Sequence, residues 1–124
     1  MRSMHSEIFG LGNLETGGKS LIHSVEDVRY SFLKRFPPIL VISADGWVLT
    51  RGSLEPELRA VPAQIPPKEG ILELAFLSKL HGDPGQKTLH PIHADLEWRD
   101  SPETVHQITV HSNTNQVTKM VGRT

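Results

Sequence analysis

The chain has 124 residues, with 13 Lys+Arg against 14 Asp+Glu, 7 His, 9 Pro, 10 Gly and no Cys. That length suits one domain on the usual prior of ~100–200 residues, large enough to hold a core without disulfides or a structural metal. A net charge of −1, with only Lys34-Arg35 as a basic pair, lacks the basic footprint from which nucleic-acid affinity arises by counterion release. The absence of Cys removes disulfide scaffolds, thiolate zinc sites, iron–sulfur clusters and cysteine nucleophiles.

Met1 to Gly10 lacks the apolar stretch of about 7–15 residues that marks a signal peptide. No apolar run approaches the ~20 residues needed to span a bilayer. The expectation is therefore a cytoplasmic protein with neither a membrane nor a nucleic acid as partner.

Residues 1–20 are rich in Gly and Ser, with Gly10, Gly12, Gly17 and Gly18 favouring a flexible arm ahead of a single domain over residues 21–124. Within the arm, Asn13-Leu-Glu-Thr-Gly-Gly-Lys19-Ser20 approaches the phosphate-binding pattern G-x-x-x-x-G-K-[ST], in which backbone N–H groups and the lysine hold phosphates. Asn13 stands where the first glycine belongs, and no alternation of strands and helices follows to build a parallel sheet. The segment reads as an arm, not a nucleotide site.

Residues 24–36 carry two patterns. Val25, Val28, Phe32, Leu33 and Phe36 fall at helical spacing, with Ser24 and Asp27 as a capping-box variant, whereas Val28, Tyr30 and Phe32 alternate as in a strand. The segment fits a helix or a strand, with a short helix the favoured reading, and Pro37-Pro38 ends either element. Ile39 to Ala44 is a β-branched run, Asp45-Gly46 is a strong two-residue hairpin signal, and Trp47 to Thr50 forms the returning strand.

Leu58 to Ile65 is extended but carries Pro62, which fits an edge strand or a crossover. Ile71 to Leu77 reads as a strand. Leu89 to Trp98 gives the cleanest alternation: Ile92, Ala94, Leu96 and Trp98 on one face, His93, Asp95 and Glu97 on the other. Ser101-Pro102 turns the chain into a strand over Val105–His111, and Val117 to Met120 adds a short edge strand. About five to seven short strands with Gly/Pro turns predict an all-β fold: an antiparallel β-sandwich of immunoglobulin-like architecture, with at most one short helix.

Catalytic spacing is absent. No G-x-S-x-G elbow occurs, and assembling Ser43 and Asp45 with a distant His into a triad is open to almost any chain with 7 His. The paired carboxylates Asp95/Glu97 and Glu55/Glu57 lie at strand spacing but lack a cleft. His93, Asp95 and His106, with His90 and His111 as alternates, offer the residue types of a zinc or similar divalent-metal site, without the i, i+2 or i, i+4 histidine spacing that specifies one.

The reading that follows is a non-catalytic binding or assembly module. Its partner would be a second copy met through an edge strand, or another protein. A metal-binding or metal-dependent hydrolytic protein built on the His/Asp cluster is the alternative. Trp47, beside the expected turn, and Phe76, on the apolar face of its strand, are the candidate walls of a small-molecule site.

Overall fold

Strand-period alternation carries most of the described residues into two sheets that share one apolar core. A computed structural model describes residues 18–49, 54–61, 70–79 and 88–122. Of these, 68% lie in strands, and no α-helix occurs among them. The strands are β1 (Lys19–Leu21), β2 (Ser24–Leu33), β3 (Ile39–Val48), β4 (Leu54–Ala60), β5 (Ile71–Lys79), β6 (His90–Trp98), β7 (Gln107–His111) and β8 (Gln116–Met120), with one 3-10 turn over Pro102–Thr104.

One sheet is three-stranded, in the order β2-β3-β6, and antiparallel throughout. The other has five strands around β5. β4 pairs antiparallel along one side of β5. Its opposite side is shared by β1, at Leu77–Lys79, and β7, at Ile71–Ala75. The β5–β7 pair is parallel, which corrects the expectation of a wholly antiparallel fold. Parallel neighbours need a long crossover. Here β6 provides it, by leaving for the other sheet between β5 and β7.

The core lies between the sheets. Val25, Val28, Leu40, Ile42, Ala44, Ala94 and Trp98 enter it from the three-stranded sheet, and Leu58, Leu72, Leu74, Phe76, Ile108 and Val110 from the other. Burying a Val, Leu, Ile or Phe side chain contributes ~1.5–3 kcal/mol relative to exposure. β3 and β6 hold this pattern without interruption, so their odd-numbered residues from Val41 to Trp47 and from Pro91 to Glu97 form the outer face.

The expected helix over 24–36 is strand β2. The register explains the false period: Val25 pairs with Gly46 and Asp27 with Asp45, so Glu26 is an extra, unpaired residue. A β-bulge of this kind turns two residues three apart to the same side of a sheet. Val25 and Val28 are both buried for that reason.

The expected hairpin at Asp45-Gly46 is likewise absent, since β3 runs straight through both residues. Gly46 has another purpose. A Cβ there would fall on the Ser24 carbonyl oxygen and the Ile22 side chain, so only glycine permits this approach. Pro37-Pro38 does lie in the β2–β3 connection, as expected. The extended segment expected from Leu58 begins earlier, as β4 at Leu54, and its part beyond Val61 lies outside the described residues.

A second contact ties the sheets together. The turn between β7 and β8 sits against the link between β1 and β2: Asn113 N–H donates to Ile22 O at 2.8 Å and Thr114 N–H to His23 O at 3.0 Å. Asn115 closes the clamp. Its Oδ1 accepts from Val25 N–H and its Nδ2 donates to Val25 O, both at 2.9 Å.

The arm expected over residues 1–20 lies outside the described residues up to residue 17, and Lys19–Leu21 form β1. Lys19, the lysine of the phosphate-loop resemblance, donates instead to Glu57 Oε1 at 2.7 Å. No helix among the described residues is long and apolar enough to cross a membrane.

Candidate functional site: the outer face of the three-stranded sheet

Register places the outward residues of β2, β3 and β6 in cross-strand rows. Asp27, Asp45 and His93 form one row, and Arg29, Ser43 and Asp95 the next. Side chains in such rows stand close enough to bond directly. Arg29 Nη1 donates to Asp27 Oδ2 at 2.5 Å and to Asp45 Oδ2 at 2.6 Å. His93 Nδ1 lies 2.7 Å from Asp45 Oδ1, and its Nε2 lies 2.9 Å from Asp95 Oδ1. Ser43 Oγ donates to Asp95 Oδ1 at 2.6 Å. The result is one continuous chain of polar contacts across three strands.

These contacts set the charges. The His93 imidazole is pushed up from its ordinary value, first by Asp45 and then by Asp95, because two carboxylates favour the doubly protonated ring. Asp45 is pushed down by His93 and then Arg29, and Asp95 by Ser43 and then His93. Both ring nitrogens of His93 face carboxylates and none faces Ser43, whose hydroxyl is bonded to Asp95. Activating a serine needs an imidazole nitrogen that accepts its proton. The face therefore holds Ser, His and Asp side chains without the order of a catalytic triad.

Beyond this network the sheet surface sinks into an open depression of about 350 Å³, lined by Glu26, Asp45, Gly46, Trp47, Pro91, Ile92 and His93. Two local features create it. The bulge lifts Glu26 out of the ladder, and the Glu26 carboxylate accepts from Trp47 Nε1 at 2.6 Å. Trp47 pairs across the strands with Pro91, so apolar surface lies between the acidic side chains.

The structure brings Trp47, His93 and Asp95 to one face and leaves the other expected site residues elsewhere. Phe76 is fully buried in the core. His106 precedes β7 in the five-stranded sheet, where its N–H donates to Gly70 O at 2.9 Å. His111 on β7 is buried, with Nε2 2.6 Å from Glu73 Oε1 on β5. His90 opens β6 on the inward side, and its buried Nε2 has no hydrogen-bond partner among the described residues. Among the described residues no three or more His, Asp or Glu gather as a metal-holding group. His93 and Asp95 lie on β6 of the three-stranded sheet, whereas His106 lies just before β7 of the other.

Sequence reasoning missed Glu26, Arg29 and the role of Asp45. The first two lay in the presumed helix and the third in the presumed turn. The available signal was the Val28/Tyr30/Phe32 alternation, which puts Arg29 on an outward strand face. The chain matches no protein-family model, no curated protein and no solved structure.

Proposed function

We propose that the two facing sheets are a β-sandwich of immunoglobulin-like architecture serving as a non-catalytic binding module, with its ligand site in the Trp47 depression. One observation carries this reading. The outer sheet face is polar, yet at the bulge an indole and a proline line a hollow edged by Glu26, Asp45 and His93. Small-molecule sites combine apolar lining with a few placed polar groups, in volumes of ~300–1,000 Å³. The engagement of both His93 nitrogens favours binding over proton transfer, since neither is free to take a proton from a substrate.

The test is amide and indole NMR of the intact chain, titrated with a mixture of small polar and aromatic fragments. Saturable shifts grouped at Glu26, Asp45, Trp47 and His93, with the Trp98 indole unmoved, are the expected result. Shifts scattered over both sheets, or none, would remove the depression as a site.

A further inference from the structure

We infer that the ligand of the Trp47 depression is a hydroxyl-rich molecule with an apolar face, in chemical terms a pyranose sugar. This inference rests on the binding reading above and narrows it to a ligand class.

The argument begins with hydrogen-bond capacity. The side-chain donors that line the hollow are already engaged: Trp47 Nε1 gives its hydrogen to Glu26, and the two nitrogens of His93 face Asp45 and Asp95. The polar side chains left with capacity are carboxylates. An ionised carboxylate has about four lone-pair sites and no donor. Glu26 uses one in the Trp47 bond, and Asp45 uses one on each oxygen. The depression therefore presents acceptors and asks its ligand for donors. Phosphates and carboxylates, which bring acceptors and negative charge, are poorly matched to it.

Shape narrows the choice. Trp47 and Pro91, paired across β3 and β6, supply apolar lining beside those acceptors. A pyranose ring has a C–H face that suits an aromatic ring and a rim of hydroxyls that donate to carboxylates. A hollow of about 350 Å³ accommodates one or two such rings.

A cationic ligand also brings donors. It meets a different electrostatic setting, because the Arg29 guanidinium stands 2.6 Å from Asp45 Oδ2 and the His93 ring occupies the other oxygen at 2.7 Å. A ligand cation reaching for Asp45 approaches the Arg29 charge. A neutral hydroxyl does not, and it bonds to an already compensated carboxylate without repulsion.

The experiment titrates the intact, isotopically labelled chain with methyl glycosides of glucose, galactose and N-acetylglucosamine and with β-linked disaccharides. Tetramethylammonium and acetyl-lysine amide form a parallel series. The expected result is a saturable shift of the Trp47 indole N–H and of the Glu26, Asp45 and His93 amides with at least one sugar. Trp47→Ala should weaken that affinity about ten-fold or more. Glu26→Gln, a mild surface change, should weaken it several-fold and covers the case in which Trp47→Ala fails to fold. Shifts with the ammonium probes and not with sugars would overturn the sugar assignment while leaving the depression a binding site. Silence from both series, with fragments still binding there, would do the same. Silence from sugars, ammonium probes and fragments alike would remove the binding reading as well. Sugar shifts that survive both substitutions would place the sugar elsewhere on the chain and overturn the inference.

Discussion

Asp45 on β3 and His93 on β6 are register partners 48 residues apart, and their side chains meet at 2.7 Å across the outer face of the sheet. The contact gives His93 a charge-dependent hold on its neighbours, and its consequences for pH can be worked out by sign.

His93 titrates above 6.5 in the folded chain, so its contribution is complete below 6.5 and is lost as pH rises through the folded value. Asp45 and Asp95 titrate below 3.8, so theirs is complete above 3.8 and is lost as pH falls through the folded values. The network is therefore at full strength between 3.8 and 6.5. Melting curves of the protein and of His93→Gln should differ most in that window and converge toward alkaline pH. The groups are roughly half exposed, so the difference should be only about 1–3 °C and smaller in high salt. A gap that widens as pH rises would contradict the assignment.

The bulge residue should be tolerant of substitution and intolerant of removal. Glu26→Gln keeps the extra residue and should change stability by less than about 0.5 kcal/mol. Deleting Glu26 restores a regular ladder only by turning Val25 or Val28 outward, at ~2 kcal/mol or more. Urea unfolding of the two variants measures this contrast, and equal midpoints would show that the bulge does not set the register.

Gly46→Ala places a methyl group against the Ser24 carbonyl and the Ile22 side chain. Ile22 lies in the packed link between β1 and β2 and Ser24 opens β2, so the expected loss is ~1–3 kcal/mol. A midpoint unchanged in chemical denaturation would mean that the link moves aside freely.

Asn115 holds both backbone polar groups of Val25 through its amide. Asn115→Ala leaves them without those partners and should cost ~1–3 kcal/mol. Asn115→Asp retains the acceptor and loses the donor to Val25 O, so it too should destabilise. Hydrogen exchange at the Val25 amide reports the contact directly, and protection that persists in Asn115→Ala would place its source elsewhere.

Much of the fold is legible in local pattern. β5, β6, β7 and β8 were read close to their observed bounds, because each alternates or forms a continuous apolar run between turn residues. β2 and the middle of β3 were misread for one shared reason. The bulge at Glu26 mimics a helical step, and the glycine that accommodates the crowded link at Ser24 mimics a hairpin turn. Both features take their meaning from pairing with a distant segment, which a local window does not contain. The parallel β5–β7 pair was hidden in the same way. Trp47, His93 and Asp95 were singled out by residue type, whereas Glu26 and Arg29 became visible only once β2 was known to be a strand.

The route of the chain has a consequence for how the molecule can come apart. It enters the five-stranded sheet with β1, crosses for β2 and β3, returns for β4 and β5, crosses again for β6, and comes back for β7 and β8. The three-stranded sheet is complete only with β6, and the five-stranded sheet only with β8. A ribosome-bound chain ending before β6 would lack an outer strand of one sheet and two strands of the other. The two layers are woven rather than stacked, so the Trp47 hollow, which needs β2, β3 and β6 together, forms only after the chain has already visited the five-stranded sheet twice.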